Sequence, residues 1–280
     1  MQIYLTSTPK RSNQDTISKL QGSKHILSIF PSVWPEDYSG SQKDEILKNE
    51  IDVNSIKLQL NTKRIKDADW ACALTHHRIY QKALNQVTNN LAWICVIEDD
   101  VILEPTFIQR LNELEKLTFN QPTIIQLFSR GKRFARYDIS LNKLHRTLYK
   151  ADLPPGQTAL YMMNTSALKL ATKSQKATGN VDWPFWAKHC NFLISYPWVG
   201  LETSAGSLIQ FDSKSRFEYY SWQIKILFGL HFFQWKRKGF SYSDYYFNLI
   251  KPFLLRLLLR AGLYKILDKK DPNSIWLRRN

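Results

Sequence analysis

Leu91-Ala-Trp-Ile-Cys-Val-Ile-Glu-Asp-Asp-Val-Ile-Leu-Glu-Pro105 decides how this chain is built. Seven mostly apolar, β-favouring residues, Leu91 to Ile97, run straight into Glu98, Asp99 and Asp100, after which apolar residues resume. The run predicts a buried strand with carboxylates at its C-terminal tip. Open α/β sheets bind ligands beyond the carboxyl ends of their strands, so the acids fall where such a fold places a site. Adjacent carboxylates repel one another and resist burial without a counter-charge, which a hard divalent cation would supply. The alternative is a solvated turn that pre-charges a helix beginning near Pro105, because acids suit helix N-termini and proline suits the first helical position.

Downstream of the acids, Phe107, Leu111, Leu114 and Leu117 mark an amphipathic helix, and Thr123 to Ser129 reads as another strand. Strand, helix, strand in that order predicts a mostly parallel, doubly wound sheet. Upstream, Asp67 and Asp69 are N-cap candidates for a helix from about Trp70 to Val87 that carries His76, Tyr80, Ala83 and Val87 on one face. His76 therefore points inward, either as a hydrogen-bonded core residue or toward a cleft. Gln2 to Thr6 is a first short strand, followed by a loop with Lys10 and Arg11 and a helical stretch around Asp15 to Leu20. A strand, a basic loop and a helix form an anion-binding arrangement, here without a glycine-rich fingerprint. Lys24 to Phe30 predicts a second strand, and the polar, proline-punctuated Pro31 to Asn61 is expected to be irregular, as an insertion or mobile flap.

Beyond Ser129, the cluster Arg130, Lys132, Arg133 and Arg136 suits phosphate contact and solvated surface equally. Lys143 to Lys150 and Thr158 to Asn164 read as two strands around Pro154-Pro155-Gly156, followed by a short helix from Thr165 to about Lys173. Asp182 then stands in Val181-Asp-Trp-Pro-Phe-Trp186, an acid among large aromatics. Carboxylates rarely sit there without a partner or purpose. Aromatic walls beside an acid suit sugars, whose C–H faces stack on rings, and they also suit a plain aromatic core with a capping Asp. Asn191 to Pro197 is expected to be the last strand of the sheet.

A chain of 280 residues with 44% hydrophobic content supports one large α/β domain, alone or with an appendage. The apolar stretch after Met1 is only Ile3 to Leu5, too short for a secretory signal, and no window reaches the ~18 apolar residues of a spanning helix. A cytosolic chain is the expectation. Cys72, Cys95 and Cys190 show neither CxxC nor metal-site spacing and are assigned no chemistry. The net charge of +15 is unevenly placed: residues 216–280 hold 13 Lys or Arg against 4 Asp or Glu. There Trp222, Ile226, Phe233 and Trp235 precede Lys236-Arg-Lys238 and Pro252-Phe-Leu-Leu-Arg-Leu-Leu-Leu-Arg260. Such apolar faces punctuated by bases describe helices lying in a membrane interface, attracted to anionic lipid by about 1 kcal/mol per basic residue, or else a helical cap on the main domain.

Taken together, these blocks resemble glycosyltransferase family 25, the bacterial lipooligosaccharide and lipopolysaccharide glycosyltransferases related to collagen galactosyltransferases. Ala71-Cys-Ala-Leu-Thr75-His76 resembles the family's Gly-Cys-x-Leu-Ser-His helix start, and Ile97-Glu98-Asp99-Asp100-Val101 its acidic strand end. Pro155-Gly156-x-x-Ala159-x-Tyr161 is similar to its glycine-led strand, Val181-Asp182 to a Val-Asp pair, and Tyr196-Pro197 with Ser207-Leu-Ile to its closing block. The resemblance runs from about Gln2 to Phe211. The chain departs from it where Leu5-Thr6-Ser7 replaces Asn-Leu-Asp, Ala71 a Gly, Thr75 a Ser, and Glu202 a Gln.

The resemblance implies a GT-A-like, single nucleotide-sugar-binding α/β domain over residues 1–215, with a basic amphipathic helical extension over 216–280. It also implies transfer of a sugar, typically galactose, from a UDP-sugar with a divalent metal, Mn²⁺ by expectation. Glycosyl transfer passes through an oxocarbenium-like state, so a cation against the leaving diphosphate and, for inversion, a base on the acceptor hydroxyl are needed. Asp100 is the expected metal ligand, with Glu98 beside it, and Asp99 is assigned to ribose or metal-bound water. Asp182 is the candidate base. Thr6, Arg11, Thr75 and His76 complete the expected donor-binding set. The acceptor would be a lipid-linked oligosaccharide or lipid A-core glycan at the cytoplasmic face of a bacterial inner membrane. Competing readings are a non-catalytic module binding membrane or nucleic acid through its basic surface, and a metal-dependent phosphodiester hydrolase. The first lacks a recognisable nucleic-acid motif and the second lacks clustered ligands.

Overall fold

The computed structural model describes residues 1–8, 13–60, 62–87, 92–128, 142–145, 148–151, 158–179, 183–195 and 199–202. These belong to one compact unit, Met1–Phe128 with Ser140–Glu202. The basic loop at Arg130 to Arg136 and the segment from residue 203 onward lie outside the described residues.

In chain order the elements are β1 (Gln2–Ser7), α1 (Gln14–Leu20), β2 (Ile26–Pro31), α2 (Gly40–Asn49), α3 (Val53–Leu60), α4 (Asp67–Gln86), β3 (Trp93–Ile97), β4 (Val101–Leu103) and α5 (Phe107–Leu114). Then follow β5 (Thr123–Gln126), β6 (Asn142–His145), β7 (Leu148–Ala151), β8 (Leu160–Asn164), α6 (Thr165–Ala171), β9 (Asn191–Ser195) and β10 (Gly200–Glu202). Eight strands form one sheet in the order β2-β1-β3-β8-β5-β9-β7-β6, and β4 and β10 form a separate antiparallel pair. Strands β1, β2, β3, β5, β6 and β9 share a direction, while β8 and β7 run against them. The sheet is therefore mostly parallel in strand direction but mixed in pairing, because β8 lies antiparallel between β3 and β5. The single strand expected over Lys143 to Lys150 is instead the β6–β7 hairpin.

The central strands read as unbroken apolar runs because both their faces are covered. Every residue of β3, β8 and β5 is buried. From β1 the chain passes through α1 to β2 on one side and through α2, α3 and α4 to β3 on the other. The switch point of the sheet thus lies at β1, and the crevice it opens is at the C-terminal ends of β1 and β3.

The stretch expected to be irregular is largely helical. At Ser39 the side chain accepts the Gln42 N–H while Gln42 Oε1 accepts the Ser39 N–H, a reciprocal cap that starts α2. Ile46, Ile51 and Ile56 then join Val33, Trp70, Ala71 and Leu74 in a buried cluster that ties α2 and α3 to α4. Weakly patterned helices such as these are held by tertiary packing more than by their own periodicity. Glu50 adds a bidentate pair with Arg78 of α4 at 2.8–3.1 Å. Asp67 and Asp69 lie inside the first turn of α4 and do not cap it; Asp69 reaches back to accept the Lys66 N–H at 3.0 Å.

Leu74 is wholly buried where α4 meets this cluster. Leu74→Ala is expected to lower the unfolding free energy by about 2–5 kcal/mol, read by urea denaturation at unchanged slope. A loss under ~1 kcal/mol would contradict a cohesive α2–α3–α4 core.

Candidate functional site

Parallel pairing of β1 with β3 sets Leu5 beside Ile97, so both chains leave the sheet together. The acids follow at once in a tight turn, closed by the Val101 N–H to the Glu98 carbonyl at 3.1 Å, that sends the chain into β4. Thr6 Oγ1 accepts the Asp99 N–H at 3.0 Å, and Thr8 Oγ1 donates to Asp99 Oδ2 at 2.6 Å. Asn13 donates to the Thr6 carbonyl at 3.1 Å. Thr6 thus couples the end of β1 to the acidic turn. Asp100 is buried, with 8% of its surface exposed.

Glu98 faces the other way, toward α4 and β8. Its Oε1 lies 3.1 Å from His76 Nε2, with Thr158 Oγ1 donating to it at 3.4 Å, and its N–H donates to the Ala159 carbonyl at 2.8 Å. His76 Nδ1 lies 2.9 Å from the Tyr161 hydroxyl, which is 2.6 Å from the Tyr80 hydroxyl. Burial pushes the pKa of both phenols well above the ordinary tyrosine range, so each stays an uncharged hydroxyl. For a neutral imidazole beside an ionised Glu98, the chain is satisfied in one direction. Tyr80 donates to Tyr161, Tyr161 to His76 Nδ1, and His76 Nε2–H to Glu98.

The helical face foreseen for α4 is therefore real over His76, Tyr80 and Ala83, and its histidine meets the acidic tip. Thr75 is occupied locally: its hydroxyl donates to the Ala71 carbonyl at 2.8 Å and accepts the Val33 N–H at 2.9 Å. Arg11 and Asp182 lie outside the described residues. Trp183, which follows Asp182, is buried with φ at +40°, a sparsely populated conformation for a bulky residue. Its ring packs edge-on against Tyr161 and Phe192, and its carbonyl accepts from Gln59 Nε2 at 2.8 Å. Gly179, at φ +82°, holds this segment close: a Cβ there would sit 2.7 Å from the Pro184 backbone. A small, partly open cleft lies between these parts, walled by His76, Tyr80, Thr158, Pro184 and Trp186.

Cysteine 72, given no chemistry from sequence, lies one turn before His76 on α4. Among the described residues, the three-donor group whose ligand atoms all fall within 4.8 Å of one another is Cys72, His76 and Glu98. Asp99 and Asp100 do not join it. The i,i+4 spacing of Cys72 and His76 was the signal available for this contact. Tyr161 and Tyr80, which orient the imidazole, were in view only as an aromatic of a strand and a position on a helix face.

A family model described as glycosyltransferase family 25 (LPS biosynthesis protein) matches residues 3–180. Among solved structures, the galactosyltransferase LgtC in complex with donor and acceptor sugar analogues is similar at 10% identity and a TM-score of 0.29. That match covers 60% of this chain and 59% of the other, so it spans less than two thirds of LgtC. No curated protein matches.

Replacing Tyr161 by Phe removes the hydroxyl between His76 and Tyr80 and leaves two buried groups without it. The expected cost is about 1–3 kcal/mol of stability, read by denaturant unfolding. Nitrogen NMR of the wild-type imidazole should show the proton on Nε2. An Nδ1–H tautomer at neutral pH would contradict the donor order given above.

Proposed function

The chain belongs to glycosyltransferase family 25, and from that premise we propose an inverting transfer of a sugar, galactose, from a UDP-sugar to a growing lipopolysaccharide, lipooligosaccharide or capsule glycan. The observation that carries the reading is the position of Glu98, Asp99 and Asp100 at the joint C-terminal ends of β1 and β3, beside the switch point of the sheet. An oxygen-only donor set of this kind fits a hard divalent cation such as Mn²⁺. Asp100 would hold it, with Glu98 reaching it only through the carboxylate oxygen not engaged by His76 and Thr158. Bound there, the cation would neutralise the leaving diphosphate.

The residues of the chain do the rest. Asp99, fixed by Thr6 and Thr8, is placed to accept from ribose hydroxyls or metal-bound water. His76 orients the Glu98 carboxylate through the buried tyrosine pair. Asp182 takes the proton of the acceptor hydroxyl as that oxygen forms its bond to the anomeric carbon. The bond from that carbon to the diphosphate oxygen breaks, UDP departs with the electron pair, and configuration inverts. The strained Trp183 beside Asp182 supports this role, since backbone strain collects at functional positions.

Residues 1–215 are the catalytic unit in this reading, and the basic, aromatic residues 216–280 bind the anionic face of the inner membrane, where a lipid-linked or lipid A-core acceptor resides. Among the described residues no helix is long and apolar enough to cross a membrane.

Turnover is tested on a panel of UDP-sugars with a lipid A-core oligosaccharide acceptor and Mn²⁺, the product anomer being read by NMR. Asp182→Asn is expected to lower kcat by roughly 10²- to 10⁴-fold while UDP still binds. Retention of anomeric configuration, or a variant as fast as the wild type, would overturn the assignment.

A further inference from the structure

We propose that Cys72, His76 and Glu98 form a binding site for a thiophilic divalent cation of the zinc class. The inference rests on three side chains of the described fold and does not depend on the sugar-transfer reading. Sulfur, imidazole nitrogen and carboxylate oxygen together are a zinc-type donor set, unlike the oxygens of a Mn²⁺ or Mg²⁺ site. The scaffold is rigid, since Cys72 and His76 lie one turn apart on the 20-residue α4 and Glu98 is at the end of the fully buried β3.

The distances suit the ion. Zinc bonds of about 2.0–2.3 Å place the donor atoms of a tetrahedral site roughly 3.3–3.7 Å apart. His76 Nε2 and Glu98 Oε1 already stand 3.1 Å apart, and Cys72 Sγ lies within 4.8 Å of its two partners. Rotation of the thiol about its own side-chain bond is the main adjustment. Three protein ligands leave the fourth position to water. The His76 side chain is 8% exposed and that of Glu98 22%, so an entry path reaches the carboxylate edge.

A metal-bound imidazole needs its second nitrogen held by an outer partner, and Tyr161 supplies this at 2.9 Å. Without metal, the hydrogen-bond chain runs from Tyr80 toward Glu98. Binding at Nε2 reverses it: the Nε2 proton gives way to the cation, Nδ1–H donates to Tyr161, and Tyr161 donates to Tyr80. The thiol gives up its proton to solvent as the thiolate coordinates, so binding is accompanied by proton release. The neighbouring cysteines provide controls. Cys95 is completely buried, and Cys190 is partly buried with its thiol pushed up by burial to about 12.

The test is titration of the reduced, full-length protein with Co²⁺, followed by displacement with Zn²⁺. Expected are one equivalent of bound Co²⁺ with a thiolate-to-cobalt charge-transfer band and intense tetrahedral ligand-field bands, all bleached by Zn²⁺. The band should vanish in Cys72→Ser and survive in Cys190→Ser. A second readout needs no variant: Zn²⁺ should shield Cys72, and not Cys190, from alkylation, scored on the separate peptides by mass spectrometry. Absence of a charge-transfer band, its persistence in Cys72→Ser, or equal alkylation of Cys72 with and without Zn²⁺ would each overturn the proposal.

Discussion

Three carboxylates in a row follow directly on a strand that has no exposed residue, and their charge has to be answered within a few ångströms. Much of the local structure is the answer. Thr6 and Thr8 from the end of β1 clamp Asp99, while His76 from α4 and Thr158 ahead of β8 converge on Glu98. The parallel pairing of β1 with β3 is what brings the first pair into range, and the α2–α3–α4 cluster fixes the helix that carries the histidine. Disturbing either support would leave a half-buried carboxylate, Asp99 or Glu98, without its partners.

The site is consequently two-faced. One face, at the C-terminal ends of β1 and β3, carries the Asp99 and Asp100 oxygens proposed for a diphosphate and its cation. The other points into the body of the domain, where an uncharged tyrosine pair, an imidazole and a thiol surround one edge of Glu98. Glu98 belongs to both. Its rotamer is therefore set from inside the protein, and in the proposed reading donor chemistry at the tip would inherit that constraint.

The β3 run and its acidic end were legible because a central strand covered on both faces becomes a continuous apolar word with abrupt punctuation. The face of α4 was legible for the same reason at a period of 3.6 residues. Pro31 to Asn61 was misread because its helices owe their stability to Ile46, Ile51 and Ile56 meeting Trp70 and Leu74, a contact invisible to a local window. The reversal of β8 escaped for a related cause: all five of its residues are buried, so direction leaves no trace in its pattern. Cys72 was assigned no chemistry because metal spacing was sought among cysteines, whereas its neighbours in the fold are a histidine one turn on and a glutamate 26 positions away. His76 needed Tyr161, 85 residues distant, before its role as an orienting group was visible.

In the proposed reading the acidic tip, Glu98 to Asp100, is the donor end of the molecule. Calorimetric titration of UDP into the protein, first with Mn²⁺, then with EDTA, and repeated on Asp100→Asn, addresses that most directly. Binding that requires the metal and is lost in the variant is the expected result. Binding indifferent to EDTA and to the substitution, or no binding under any condition, would contradict it and reduce Glu98, Asp99 and Asp100 to a charged turn between two strands.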